Sequence, residues 1–519
     1  MSRELIQALQ DPKRYDHPVT GFALHETHIS WVLLTGEFAY KIKKPVDFGF
    51  LDFSSLEQRK HFCDEEVRLN RRLAPDLYVG VVPITGSPSD PRLGGEGEAF
   101  EYAVCMHQFD THQMLNELYG EGRLQVAHMD ELADQIADFH ENLPATQGEL
   151  GTPAAVRKDA EENFQQIHPL LDQAAQRDQL GRLATWSHET FTRLEPHLSR
   201  RHQEGHVREC HGDLHLANIT LYQNRVTVFD CIEFNKGLRW IDTCNDLAFL
   251  LMDLEHRGAP QLANRVLNRY LQLSGDFDCL PLLDFYKAYR AIVRAKIALL
   301  TRGNPDLSNK DKKELLDQYQ SYADLAEGYS MPRKRYLLVT SGVSGSGKSW
   351  LSQRLAQSLN LIWLRSDVER KRLFGLKPHM HSHSQPDSDI YTPQATRDTY
   401  QRLAELAADV LEAGYPVIVD STALHQEERD RLIQVAASRN IPYLLLDCSA
   451  PESQRRQWLR ARAKEGGDPS EADEVIMERQ QAVVEPITKA ERAYSLEVDA
   501  TAEAAANDVE KRIRKRFAC

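Results

Sequence analysis

The chain lacks the marks of disulfide and zinc chemistry. Its eight cysteines include no C-x-x-C pair, so neither a zinc knuckle nor a disulfide framework organises it, and reduced thiols in a cytoplasm are expected. Long apolar runs are missing too; none approaches the roughly 18 residues that span a bilayer. The opening stretch, MSRELIQALQDPKRYDH, has no basic flank, apolar core or small-residue cleavage site of a secretory signal. A cytoplasmic protein without membrane contact is the expectation. Positive charge is in deficit, since 63 Lys and Arg face 77 Asp and Glu for a net charge of −14. That argues against general adhesion to nucleic-acid backbones, though a local basic groove stays compatible with it. Repeats of fixed period and low-complexity tracts are also absent, which removes solenoids from consideration.

What is present is a globular composition, 41% hydrophobic and 27% charged, spread over 519 residues. That length exceeds one ordinary core, so two or three domains are expected. The clearest seam is AEGYSMPRKRYLLVTSG (326–342), where a charged helical stretch gives way to Gly, Pro and a basic cluster before a β-rich run. It places a boundary near residues 328–334. Ahead of it, HISWVLL, EFAYKIK, LYVGVVPI and FEYAVCM read as strands of a β-rich lobe, about 20–109. Stretches such as MDELADQIADFHENL then carry apolar residues at helical spacing through a helical lobe, about 110–328. Beyond the seam, over 334–519, strands such as RYLLVTSG, LIWLRSD, PVIVDST and IPYLLLDCS alternate with helices. That alternation is the pattern of a parallel sheet with crossover helices.

GVSGSGKS (342–349) follows a short apolar strand and opens a helix whose Leu351, Leu355 and Leu359 share one face. Gly342, Gly345 and Gly347, with Ser346 between them, let backbone N–H groups turn inward around phosphates, and the helix N-terminus adds a favourable dipole. Lys348 can reach the β/γ-phosphates of ATP, and the Ser349 hydroxyl can ligate Mg²⁺. Two strands then end in acids. Asp367, in SDVERK with Arg370 and Lys371 close behind, stands where an acceptor hydroxyl can lose its proton. Asp420, in VIVDST, is a candidate to hold Mg²⁺ through water. For both, a helix N-cap after a strand is the alternative reading. Arg460 and Arg462 lie on a basic helix before a Gly-rich break. They fit an arginine-bearing lid over the phosphates, or a plain solvated face. This part resembles the small P-loop kinases around zeta toxin, polynucleotide 5′-kinase, gluconate kinase and chloramphenicol phosphotransferase. The resemblance implies transfer of the ATP γ-phosphate to a hydroxyl, on acceptors ranging from sugars to nucleic-acid ends.

The first half answers the same chemical problem with different parts. In HGDLHLANITLYQNRVTVFDCIEFN (211–235), ANITLY and RVTVFD read as a hairpin across the polar QN. Pairing them brings Asn218 and Asp230 together at its open end, with Asp213 in the loop that enters it. An Asn and an Asp sharing Mg²⁺, beside an Asp that receives a hydroxyl proton, is a kinase arrangement. His211 reads as a brace for the loop.

HGDLHLAN resembles the H-G-D-x-x-x-x-N loop of aminoglycoside phosphotransferases, choline kinases and related protein-kinase-like small-molecule kinases. The resemblance maps the metal-binding aspartate onto Asp230, makes Glu233 an extra acidic candidate, and assigns Asp246 to stabilising the catalytic loop. It also asks for a lysine on the ATP phosphates and a glutamate to hold it. Lys41 in EFAYKIKK has the V-A-I-K-like position, with Lys43 on the same strand face as the alternative. In the helix after Ser54, which with Glu57 reads as a capping box, Glu66 falls on the core-facing side and is paired with Lys41. YAVCMHQF (102–109) would be the hinge strand beside adenine. One departure is plain: no G-x-G-x-x-G loop precedes Lys41, and only Gly36 is available.

The expected fold class is therefore an α+β bilobal protein-kinase-like domain (1–328) followed by an α/β P-loop domain (334–519) with a parallel sheet and helical lid. The whole resembles bacterial fusions of a phosphotransferase with an ATP-binding domain. Two ATP- and Mg²⁺-dependent phosphotransferase sites acting on small hydroxyl-bearing acceptors are the leading expectation. A regulatory, non-catalytic first domain is the alternative, and a nucleic-acid end as acceptor for the second domain ranks lower. The His-rich HMHSHSQ (379–385) reads as a polar loop rather than a metal site.

Overall fold

The computed structural model describes residues 2–49, 51–146, 148–382, 389–466, 468–502 and 504–518. His383 to Gln385 of the His-rich stretch lie outside the described residues. The chain divides into two compact units. The first is Met1–Leu254 with Phe285–Ala323, and the second is Glu255–Asp284 with Asp324–Cys519. The segment 255–284, which the sequence places in the first domain, therefore folds with the P-loop unit.

The first unit opens on an antiparallel sheet of β1 (Ala23–Glu26), β2 (Ser30–Leu34), β3 (Phe38–Lys43), β4 (Tyr78–Ser87), β5 (Asp90–Leu93) and β6 (Ala99–His107), in the order β1-β2-β3-β6-β4-β5. Alternation on β3 sends Tyr40 and Ile42 into one apolar cluster and Ala39 into another that holds Cys63 and Val67 of helix Leu56–Asn70. That period of two turns Lys41 and Lys43 toward the same helix. Ser55, one residue after the expected cap, accepts from the Gln58 N–H and starts the helix, while the Ser54 N–H is taken by Asp52.

Helices dominate the rest of this unit, with two small ribbons between them. β7 (Val207–Glu209) pairs with β10 (Trp240–Asp242), and β8 (Ile219–Tyr222) with β9 (Arg225–Val228). Gln223 and Asn224 both take left-handed backbone angles, φ 52° and 62°, as a two-residue turn that follows strand twist requires. Register Ile219↔Val228 and a 3.0 Å bond from the Phe229 N–H to the Asn218 carbonyl close the hairpin's open end. Helix Thr243–His256 then runs buried along almost its whole length.

In the second unit all strand pairs are parallel: β11 (Leu337–Ser341), β12 (Ile362–Arg365), β13 (Val417–Asp420), β14 (Tyr443–Ser449) and β15 (Ser495–Asp499), ordered β12-β13-β11-β14-β15. Leu351, Leu355 and Leu359 of helix Lys348–Leu359 pack on Leu338, Ile418 and Leu446, so the face read from the sequence is the buried one. Strand β12 is an edge. It is covered by helix Pro260–Ser274, whose Asn268 amide donates to the Leu361 carbonyl at 2.9 Å and accepts from the Trp363 N–H at 2.7 Å. A side-chain amide thus replaces the missing neighbouring strand. No helix among the described residues is long and apolar enough to cross a membrane.

Candidate active sites

In the first unit a buried ionic group forms where β3, helix Leu56–Asn70 and the end of β9 meet. Lys41 Nζ lies 2.8 Å from Glu66 Oε1 and 2.7 Å from Asp230 Oδ1. Lys43 Nζ lies 2.7 Å from Glu66 Oε2 and also bonds Glu233. Burial pushes Glu66 up, but two ammonium groups outweigh it and hold the carboxyl at about 2. Burial pulls Lys41 down, and Asp230 with Glu66 overcomes it, so this lysine stays charged. The side chain of Lys43 is 1% exposed and that of Lys41 13%, so Lys41 is the more accessible of the two alternatives. Glu233, the extra acidic candidate, is paired with Lys43.

Asp230 adopts φ 62°, a left-handed angle that costs a non-glycine residue of order 1 kcal/mol and is characteristic of functional turns. Asn218 donates to Asp213 Oδ2 at 2.9 Å, and His215 Nε2 stands 3.3 Å from the same oxygen. Burial pushes Asp213 up, yet His215, with Arg294 and His211 adding to it, holds the carboxyl below its ordinary range. It is a carboxylate at neutral pH and so able to accept a proton.

The loop carrying Asp213 is clamped from below. Asp246 accepts the Gly212 N–H at 2.8 Å and the His211 N–H at 3.0 Å, with His140 Nε2 at 3.2 Å. The His211 ring reaches the Phe229 carbonyl at 2.9 Å and the Asp213 N–H at 3.2 Å, which makes it a brace between the Asp213 loop and the segment after β9. Burial keeps it neutral. Gly212 has φ 86°, and a Cβ there would sit 2.7 Å from the Leu238 carbonyl, so only glycine fits. Just Thr35, Gly36 and Glu37 join β2 to β3, so this connection holds one glycine.

In the second unit Gly342, Gly345 and Gly347 have φ 138°, 80° and 84°. A Cβ on Gly342 would come 2.4 Å from the Cys448 carbonyl, and one on Gly347 2.5 Å from Ala500 Cβ. The loop encloses its own lysine: Lys348 Nζ donates to the Val343 carbonyl at 2.8 Å and approaches Ser346 Oγ at 3.5 Å. A cavity of about 830 Å³ lies over it, lined by Gly345, Gly347, Lys348, Ser349, Asp367 and Asp420 among others. Gly342 and Ser346 do not line it. Burial pushes Asp420 up, against Arg365 and a hydrogen bond from Ser349. Its Oδ2 also accepts the Trp363 indole N–H at 3.2 Å.

The two arginines expected in a lid separate. Arg462 lines the cavity and donates to the Ala472 carbonyl. Arg460 does not line it: its side chain is 69% exposed and paired with Glu474 at 2.6 Å. Residues two apart on a helix point to opposite sides, so one of the pair had to face away. Sequence reasoning missed Trp350, Trp458 and Arg479, all in the cavity wall, and Gln480, which accepts the Ser344 N–H at 2.7 Å. The aromatic residues gave no motif signal, although Trp350 stands two residues past Lys348.

The phosphotransferase enzyme family model matches residues 52–284, and an AAA domain model matches 337–487. Uncharacterized protein Rv2004c of Mycobacterium tuberculosis is 31% identical over 464 residues, covering 87% of this chain and 89% of that one. Among solved structures, a putative kinase from Chloroflexus aurantiacus is 20% identical with a TM-score of 0.29, over 35% of this chain and 98% of its own. A choline/ethanolamine kinase family protein from Mesorhizobium loti is 12% identical with a TM-score of 0.37, over 63% and 99%. This chain belongs to the same family as the mycobacterial protein, and it is a kinase-type enzyme in which a phosphotransferase-family domain is fused to a P-loop domain.

Proposed function

We propose that both units are ATP-dependent phosphotransferases, each transferring a γ-phosphate to a hydroxyl of a small molecule. The observation that carries this reading is the pairing of Lys41 with Asp230 and of Asn218 with Asp213 in one unit, with Lys348, Ser349, Asp367 and Asp420 around one cavity in the other. In the first unit Lys41, steadied by Glu66, holds the phosphates, and Asp213 accepts the proton of the attacking hydroxyl. Asn218 and Asp230 fit a divalent cation, since an amide oxygen and a carboxylate are hard donors at one hairpin end. In the second, the loop N–H groups and Lys348 hold the phosphates, Asp367 takes the acceptor's proton, and Arg462 covers the charge spreading during transfer. Ser349 and Asp420 are the donors for its cation. Bound Mg²⁺ would neutralise phosphate charge and orient the γ-phosphate at each site. A cytoplasmic location accords with this use of ATP and with seven buried cysteines that form no disulfide.

The bare three-residue connection between β2 and β3 favours a second reading for the first unit, a nucleotide sensor that controls the P-loop kinase. One experiment separates the two. ATP turnover with Mg²⁺ is measured across aminoglycosides, sugars, nucleosides, amino alcohols and 5′-hydroxyl oligonucleotides, with wild type beside Asp213→Ala and Lys348→Ala. Loss of a different acceptor in each variant supports two active sites. Loss of all turnover in Lys348→Ala alone makes the first unit a sensor.

A further inference from the structure

Asp420 is the most enclosed of the acids around the P-loop cavity, 5% exposed, at the end of β13. Its neighbour across the sheet is β12, in parallel register Trp363↔Ile418 and Arg365↔Asp420. Trp363 does not line the cavity, yet its indole N–H reaches Asp420 Oδ2 at 3.2 Å. The indole is itself fixed in three ways. Its ring packs in the core with Leu338, Leu361 and Ile418. The Arg365 guanidinium lies over it at 4.9 Å. Its backbone N–H is held at 2.7 Å by Asn268, a 4% exposed side chain from helix Pro260–Ser274.

A carboxylate that holds a cation directly or through water needs one oxygen pinned so that the other points the same way each time. An indole N–H is suited to that task, being a donor only, with no competing acceptor and little rotational freedom when packed. We infer that Trp363 is a positioning residue for the P-loop site: it fixes Asp420 for Mg²⁺, and Asn268 fixes Trp363. This rests on the reading of Asp420 as a cation donor given above. Asn268 comes from the stretch matched by the phosphotransferase family, so the P-loop site draws part of its support from sequence outside its own domain match.

The test uses the full chain carrying Lys41→Ala, so that nucleotide binding reports the P-loop site, with the fluorescent analogue mant-ATP as probe and Mg²⁺ titrated. The Mg²⁺ concentration for half-maximal binding is compared with binding in EDTA. Trp363→Phe keeps an aromatic ring and deletes the N–H. It is expected to raise the Mg²⁺ requirement about 10- to 100-fold while leaving Mg²⁺-free binding unchanged. Asn268→Ala is expected to act in the same direction and more weakly. A purely structural role would instead lower the melting temperature and weaken both kinds of binding together. If Trp363→Phe melts, benzothienylalanine at 363 preserves the size of the indole and removes only the N–H. An unchanged Mg²⁺ requirement in a folded variant overturns the proposal. If the parent shows no Mg²⁺-dependent binding, or if adding Lys348→Ala leaves that binding intact, the reading of the cavity falls and takes the proposal with it.

Discussion

Lys43 Nζ lies 2.7 Å from Glu66 Oε2, and both side chains are sealed from solvent. Glu66 gives its other oxygen to Lys41, which faces Asp230. Two lysines on one strand face therefore have different work. Lys41→Met is expected to reduce first-site turnover by about 10²–10³-fold, with a smaller loss of stability than Lys43→Met because Glu66 keeps its bond to Lys43. Lys43→Met leaves Glu66 and Glu233 short of a buried cation and should cost about 3–5 kcal/mol of stability. Urea unfolding beside turnover assays separates them, and equal effects on stability would refute the division.

On the proposed reading, Asp213→Asn keeps the shape of the loop and removes its proton acceptor. First-site turnover should fall about 10²–10⁴-fold, while turnover that depends on Lys348 stays at the wild-type level. Single-turnover measurements with acceptors sorted by site read both numbers at once.

Arg462 and Arg460 offer a contrast within one helix. Arg462→Ala should lower P-loop-site kcat by at least about tenfold, because its guanidinium is in the cavity wall. Arg460→Ala breaks only an exposed pair with Glu474, a contact that solvent screens, and should stay within about threefold of wild type. The opposite ranking would mean that the lid rearranges when substrate binds.

Asp246 gives a pH prediction. Burial pushes its carboxyl up, and His140 beside it more than compensates, leaving it at about 2 against an ordinary 3.8. Because the folded value is the lower one, its stabilisation is present above pH 3.8 and is lost as pH falls through about 2. The size is about 2 kcal/mol. Asp246→Asn should melt lower than wild type at pH 7, and the gap should close as pH falls across that window. A gap independent of pH would show that the charge is immaterial.

Local sequence carried much of this molecule. The β8–β9 hairpin, the loop around Asp213 and the P-loop with its apolar helix face could be read because each is a short segment whose turn chemistry and periodicity act together. The bracing by His211 was legible by the same route, whereas that by Asp246 came only from the resemblance to small-molecule kinases. Lys41 and Lys43 shared a face by alternation, but their separate partners depend on Glu233, far along the chain, and no local pattern encodes that. Arg460 could have been set apart from Arg462 by helical geometry alone. The placement of 255–284 with the P-loop unit could not be read, because its signal is a pair of asparagines whose partners are backbone atoms of a distant strand.

Those asparagines bear on how such a chain can be inherited. Strand β12 ends the sheet, and its outward amides would recruit any extended segment that came by. Asn264 and Asn268 answer them from a helix that precedes the seam. A P-loop gene cut at that seam would yield a protein with a raw strand edge, prone to pair with copies of itself. Once the helix had taken on that duty, the two reading frames could no longer be parted at the linker without loss. Their joining is thus written into the sheet, beyond the mere continuity of the polypeptide.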